Sequence, residues 1–175
     1  MRTALFVDGS NFHASAKLAQ YHIDYSRVIK LFGDNIVTAR YYTAILNDET
    51  GWSQIRPLID WLDFNGWKCV TKPTKSMIDE LTNLTVVKGN MDVEIATDMM
   101  KMSSFIDHAV LFSGDGDFTY VVKALQDRGV RVTVVSMVTM TAEELRRAAD
   151  KFIDICEPEW RQRLEKIHDA KTQIR

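Results

Sequence analysis

The chain has 175 residues, of which 46% are hydrophobic and 26% are charged, the balance of a globular protein with one ordinary domain. Its formal net charge of −2 argues against a protein that holds duplex DNA by neutralising phosphates alone, so any contact with nucleic acid must be local, with metal ions at an acidic site. No apolar run approaches the roughly 18 residues that a membrane span needs, and the opening run MRTALFVDGSN predicts a core strand rather than a signal peptide, so we expect a cytoplasmic protein.

The first half of the chain alternates between apolar runs and helical periods. Ala4–Val7 is predicted as a buried strand, Asn11–Gln20 and Ser26–Phe32 as helices, and Ile36–Ile45 as a strand rich in β-branched and aromatic residues. Trp52–Phe64 follows as a helix with an apolar stripe, and Trp67–Thr71 as a strand. The segment Lys72–Asn90 keeps no clean period, so no element is predicted there.

The second half repeats the same alternation. Met91–Met102 is predicted as a helix, Ala109–Phe112 as a strand, Phe118–Asp127 as a helix, Val130–Val135 as a strand, Ala142–Lys151 as a helix and Phe152–Ile155 as a strand. The fold class is therefore α/β, a doubly wound and mainly parallel sheet with helices on both faces. Ligands of such sheets bind outside the carboxyl ends of the strands.

Residues 1–157 form the predicted domain, and residues 158–175 a charged C-terminal helical tail. Two interpretations of the tail stay open, a solvated or partly frayed helix, or a basic arm that touches phosphates or a partner chain. The two cysteines, Cys69 and Cys156, have no C-x-x-C spacing. We expect both to be small buried hydrophobes in a reducing compartment.

Three acidic clusters lie where the α/β rule places a ligand. Asp8 ends the first strand in the run FVDGSNF, and Asp115 and Asp117 follow the strand AVLF in the run SGDGDF. The third cluster, Asp92, Glu94 and Asp98, lies on the helix of the run KGNMDVEIATDMM. Crowded carboxylates repel one another unless a cation lies among them, and Mg²⁺ prefers oxygen ligands. For Asp8 and Asp117, an N-cap role is the competing interpretation.

Helical spacing separates the acids of the third cluster. Asp92 lies at the helix start, where it can point towards the sheet edge, and Glu94 is expected to be solvated. Asp98 has two open interpretations. It anchors Lys88 or another basic residue, or it reaches the site from one turn deeper.

The runs FVDGSNF, KGNMDVEIATDMM and LFSGDGDFTYVVKALQDRGVRVTVVS resemble the NYN domain in its LabA-like branch, within the PIN-like nuclease superfamily. The resemblance covers roughly Ala4 to Cys156 and implies a metal-dependent ribonuclease or nuclease. Carried over by position, it implies a set of metal-binding acids, namely Asp8, Asp92, Asp115 and Asp117, with Mg²⁺ or Mn²⁺ as the cofactor. It also implies that Asn11 orients a metal water or a phosphate oxygen, although Asn is a favoured helix cap as well.

Four further residues are secondary candidates for the site. Ser10 and Ser113 would add hydroxyl contacts, with turn bonding as their alternative role, and Asp98 and Lys88 complete the set. The family's helix motif usually has one residue fewer between its glycine and its first acid than Gly89 and Asp92 have here, and this affects the placement of Lys88.

The expected function is a metal-dependent nuclease whose substrate is single-stranded RNA. Candidates for contacting the substrate are the basic residues Arg40, Lys72, Lys75 and Lys88, with Tyr41, Tyr42 or Trp52 stacking on unpaired bases. For each of these residues, a solvated or core role is the competing interpretation. The histidines His13, His22, His108 and His168 are scattered and are expected to be surface or packing residues. A homodimer is a further expectation, with Met77, Ile78, Leu81 and Leu84 either on its surface or in the core.

Two other functions compete with the nuclease. A catalytically silent module with the same fold would bind RNA or a protein and regulate it. A phosphatase would use Asp8 as its nucleophile, but Ser10 stands where such enzymes normally carry a second acid.

Overall fold

A central parallel sheet organises the residues that the structure describes. The structure is a computed structural model that describes residues 1–20, 22–45, 55–78 and 85–165, without the side chains of 75–78 and 85–88. The described strands are β1 Thr3–Asp8, β2 Ile36–Ile45, β3 Lys68–Pro73, β4 Lys75–Ile78, β5 Thr85–Lys88, β6 His108–Phe112, β7 Arg131–Ser136 and β8 Lys151–Asp154. Six of them form the main sheet in the order β3-β2-β1-β6-β7-β8, and every neighbouring pair in it is parallel.

The described helices connect these strands. They are α1 Gly9–Leu18, α2 Tyr25–Leu31, α3 Arg56–Phe64, α4 Asp92–Met102, α5 Thr119–Gln126, α6 Glu143–Ala148 and α7 Pro158–Leu164, with one-turn helices at Gly116–Phe118 and Val138–Met140. Not one of these described helices has the length and apolar character needed to cross a membrane.

The strand order places the carboxyl ends of β1 and β6 side by side at the point where the winding of the sheet reverses. From β1 the chain winds outward through β2 to β3, then returns to the other side of β1 and winds outward through β6, β7 and β8. The register pairs Val7 with Phe112, so the residues that follow β1 and β6 emerge side by side. This is the topological switch point at which doubly wound sheets bind their ligands.

The side chains of β1 alternate between two hydrophobic cores. Ala4 and Phe6 pack into one core with α4, α5 and α6, whereas Leu5 and Val7 pack into the other with α1, α2 and α7. All four side chains are buried, as expected for a parallel strand with helices on both faces. The predicted α/β fold class is confirmed.

Most predicted elements form within a few residues of their predicted bounds. The main difference is the segment Lys72–Asn90, where β3 continues to Pro73 and an antiparallel hairpin of β4 and β5 follows. The prediction for the cysteines is wrong for Cys156, which is exposed, while Cys69 is only partly buried. Cys156 lies beyond the end of β8, and its N–H donates to Asp154 at 2.9 Å, so it belongs to a surface turn.

Helix α7, the described part of the predicted tail, packs against the domain. Leu164 is fully buried, and its carbonyl accepts a hydrogen bond from the Asp24 N–H at 2.8 Å. Trp160 stacks on Phe32 with ring centroids 6.4 Å apart. A purely solvated helix is therefore wrong for this part of the tail, and residues 166–175 lie outside the described residues.

Helix α4 allows a matched test of this packing. Ile95 is 0% exposed and Val93 is 75% exposed on the same helix. We expect Ile95→Ala to lower the free energy of unfolding by about 2–5 kcal/mol, because it leaves a cavity in the core. The melting temperature should fall by about 4–20 °C. Val93→Ala should change the free energy of unfolding by no more than about 0.5 kcal/mol. Urea titrations that give equal losses of unfolding free energy for the two variants would contradict this packing.

Candidate metal centre

The Asp8 carboxylate joins the ends of two neighbouring strands. It is 8% exposed at the end of β1, and its Oδ1 accepts a hydrogen bond from the Asn11 N–H at 3.2 Å. Its Oδ2 accepts a hydrogen bond from the Ser113 hydroxyl at 3.0 Å. Asp8 therefore does cap α1, and the same carboxylate also holds the residue that follows β6.

Asn11 and Ser113 strengthen the connection between the two strand ends. Asn11 Oδ1 accepts a hydrogen bond from the Gly114 N–H at 2.9 Å, so the side chain bridges from α1 to the loop after β6. Ser113 Oγ accepts a hydrogen bond from the Asp115 N–H at 3.2 Å. The side chains of Asn11 and Ser113, together with the turn from Ser113 to Asp115, thus fix the position of Asp115 relative to Asp8.

Two glycines permit this close approach of chain segments. A Cβ on Gly9 would lie 2.7 Å from the Tyr42 carbonyl oxygen. A Cβ on Gly114 would run into the Met140 carbonyl oxygen and lie 2.9 Å from Ser136 Oγ. Because backbone atoms cannot easily give way, a side chain at either position would push the loops apart.

Three carboxylates converge beside this framework. Asp92, Asp115 and Asp117 each offer one oxygen, and these oxygens all lie within 4.8 Å of one another. Asp115 Oδ1 also accepts a hydrogen bond from the Asp117 N–H at 3.0 Å, which fixes the short turn between the two. Hard divalent cations take oxygen ligands of this kind, so the cluster has the donor set of a cation site.

Asn90 orients Asp92 and is a residue that the sequence analysis did not identify. Its Oδ1 accepts a hydrogen bond from the Asp92 N–H at 2.6 Å, and its amide group donates to the Asp92 carboxylate. Gly89 lies tightly against β2, because a Cβ there would run into the Ala44 side chain. An asparagine two residues before the first acid of a helix is a signal for such a capping turn.

The electrostatics of the cluster favour a cation. Burial is the main cause that raises the pKa of Asp92, and repulsion from Asp115 and Asp117 raises it further. The hydrogen bond from Asn90 and the charge of Lys72 lower this pKa but do not cancel the rise. Burial also raises the pKa of Asp8, against its two hydrogen bonds, and repulsion from Asp92 and Asp115 adds to the rise. Raised carboxyl pKa values mean that negative charge is costly here, and a bound cation would remove that cost.

An open cavity lies directly beside the carboxylates. It has a volume of about 470 Å³ and is lined by Asn90, Asp92, Val93, Ala96, Asp117 and Phe118. The carboxylates therefore face a space that a ligand can enter.

Asp98 does not join the cluster. Its Oδ2 accepts hydrogen bonds from Arg40 Nη1 at 2.5 Å and from the Tyr42 hydroxyl at 3.0 Å. Of its two interpretations, anchoring a basic residue is therefore the correct one, and the partner is Arg40. The prediction of a solvated Glu94 is wrong in part, since its carboxylate is half-exposed but pairs with Lys72 at 2.9 Å.

Of the two interpretations of Tyr41 and Tyr42, the core role is correct and base stacking is wrong. Both rings are buried in the core, with 1% and 0% of their surface exposed, because they occupy the centre of β2 beneath helices on both faces. Among the other predicted contacts, Ser10 is an exposed residue in the first turn of α1.

Several predicted contacts lie outside the described residues or side chains. These are Trp52, Leu81, Leu84 and His168, and the side chains of Lys75, Met77, Ile78 and Lys88.

Known proteins resemble this chain over most of its length. The family model of the NYN domain matches residues 2–156. The low amplitude and bright protein LabA of Synechococcus elongatus is 34% identical over 161 residues, which are 88% of this chain and 83% of the relative. A crystal structure of a Vibrio parahaemolyticus protein of unknown function has a TM-score of 0.73 and 27% identity, covering 88% of this chain and 92% of that chain.

If the cluster holds a cation, the raised pKa of Asp92 predicts a pH dependence of its binding. Protons compete with a cation for a carboxylate, and this competition should begin at a higher pH than the ordinary carboxyl value of 3.8 would allow. The affinity for Mn²⁺ should be constant at neutral pH and fall by about tenfold per pH unit below the raised pKa. Calorimetric titration with Mn²⁺ at a series of pH values measures this dependence of the affinity on pH. An affinity that stays constant down to the ordinary carboxyl range would contradict the assignment of Asp92 as a ligand.

Proposed function

The chain belongs to the NYN domain family, and on this premise we propose that it is a divalent-metal-dependent nuclease that hydrolyses phosphodiester bonds in single-stranded RNA. NYN domains are part of the PIN-like superfamily of nucleases. The observation that carries the proposal is the convergence of Asp92, Asp115 and Asp117 at the switch point of the sheet.

The residues present fit Mg²⁺ or Mn²⁺ as the cofactor. The donors are carboxylate oxygens, which suit hard cations, and burial together with repulsion from Asp115 and Asp117 raises the pKa of Asp92, so a cation among these carboxylates would be favourable. Asp92, Asp115 and Asp117 would hold the cation, with Asp8 beside them. When bound, the cation activates a water molecule and neutralises charge on the phosphate.

The remaining site residues position this cluster. Asp8 and Asn11 hold the loop after β6 through Ser113 and Gly114, so the strand ends cannot separate when like charges repel. Asn90 fixes Asp92 at the start of α4. His108 lies at the opposite, amino end of β6, and we assign it no role as a base.

The proposal includes a substrate class and a setting. The net charge of −2 favours a single strand bound locally over a duplex bound by extensive phosphate neutralisation. The free thiols of Cys69 and Cys156 suit the cytoplasmic location that we propose. A homodimer remains part of the proposal.

Asp117 offers the cleanest test, because it is the exposed member of the cluster, whereas both oxygens of Asp8 hold the framework together. We expect wild-type protein to cut labelled single-stranded RNA with Mg²⁺ or Mn²⁺ and not with EDTA. Asp117→Asn should lower the rate by at least about 100-fold, because loss of a proposed ligand should cost no less than the 10- to 100-fold lost with an outer-shell partner. Gel electrophoresis of the products measures the rate.

Asp127→Asn is the matched control, since Asp127 is an exposed aspartate just beyond the end of α5. It should cut RNA at the wild-type rate. RNA that is bound but never cut by wild-type protein, with either metal, would contradict the nuclease and favour the silent regulatory module. Cutting that persists in EDTA or in Asp117→Asn would contradict the metal site.

A further inference from the structure

Helices α4 and α5 leave an open apolar groove next to the acidic cluster. Its volume is about 540 Å³, and it is lined by Ala96, Thr97, Met100, Lys101, Tyr120, Val121 and Ala124. Ala96 also lines the cavity that contains Asp92 and Asp117. The groove therefore lies next to the candidate metal centre, with Ala96 lining both.

Tyr120 is the most conspicuous side chain of this groove. It is 84% exposed and lies in the first turn of α5, three residues after Asp117 in the chain. A ring so exposed gains little from burial on folding. An aromatic face with a polar tip is, however, well suited to contact a flat ligand that is itself partly polar.

We propose that this groove binds a base of the nucleic-acid strand next to the phosphate held at the acidic cluster, with the base stacked on the ring of Tyr120. The inference rests on the proposed nuclease function and names a residue that positions its substrate. Stacking on an aromatic ring is available to every base, because each has a π-face. Tyr120 therefore positions the strand without selecting its sequence.

One positive charge in the lining of the groove complements a phosphate backbone. Lys101 has a side chain that is 71% exposed, with its ammonium 3.9 Å from Asp98, so most of it faces solvent. A strand leaving the acidic cluster would thus pass over an apolar surface with Lys101 beside it, and small residues such as Ala96 and Ala124 leave room for a base.

Binding of fluorescein-labelled hexauridylate, measured by anisotropy in Ca²⁺ and in EDTA, tests this role separately from cleavage. Electrophoresis after each titration checks that the probe is intact. Tyr120→Ala should weaken binding by about 5- to 150-fold, the cost of losing one base–aromatic stack. Tyr120→Phe and Tyr120→Trp should bind within about twofold of wild type or more tightly, because the ring is kept.

Phe64→Ala is the matched control, since Phe64 is 90% exposed on α3, a helix that packs on the opposite face of the sheet. It should bind like wild type. In addition, a probe with abasic positions should bind wild-type protein more weakly than the intact probe does. The same loss of bases should weaken binding to Tyr120→Ala much less. Circular dichroism melting establishes that the variants are folded.

The two proposals fail in different ways. If Tyr120→Ala binds the probe as wild type does, while RNA is still cut through Asp117, the groove inference is overturned and the nuclease stands. If RNA is never cut but binding depends on Tyr120, the groove stands and the nuclease does not. A concentration-dependent dimer in sedimentation that Tyr120→Ala abolishes, without any change in probe binding, would overturn the inference and make the groove an interface between two copies.

Discussion

The parallel pairing of β1 with β6 is the constraint on which the rest of the structure depends. Pairing of Val7 with Phe112 brings residues more than a hundred positions apart into contact where both strands end. Asp8 and Ser113 can then share a hydrogen bond of 3.0 Å, and the loop that carries Asp115 and Asp117 is set beside them. A shift of register by one residue would reverse the faces of the strand and remove this contact.

The site works against the stability of the fold that carries it. Burial and mutual repulsion raise the pKa values of Asp8 and Asp92, so the ionised cluster is an unfavourable arrangement without a cation. The framework of Asn11, Ser113 and Gly114 opposes this repulsion with hydrogen bonds. A site that is fixed before its ligands arrive loses less on binding them, because little reorganisation is needed.

Much of the fold could be predicted from the sequence, for a physical reason. Continuous apolar runs such as those of β1, β6 and β7 are typical of parallel strands with helices on both faces, whereas the strand order that creates the switch point comes from the structure. The hairpin of β4 and β5 could not be predicted, because its apolar residues keep no clean period. The strand-like run around Tyr41 and Tyr42 was recognised, but its β-branched and aromatic composition does not reveal which rings are buried on both faces of the sheet.

The acidic cluster was predictable in part. The carboxyl-end rule of parallel sheets indicated Asp8, Asp115 and Asp117, and the start of a helix indicated Asp92. The partner of Asp98 could not be predicted from the sequence, because its contact with Arg40 depends on how α4 crosses β2. Tyr120 was also missed, since in sequence it is one aromatic residue within an amphipathic helix, and only its exposure of 84% separates it from the core.

Diffraction from crystals soaked in Mn²⁺, at a wavelength where manganese scatters anomalously, would reveal whether the three carboxylates bind a cation. We expect an anomalous peak bounded by carboxylate oxygens of Asp92, Asp115 and Asp117, at metal–oxygen distances of about 2.0–2.2 Å, close to those of Mg²⁺. No peak there at saturating Mn²⁺, with the three carboxylates still converged, would contradict this expectation.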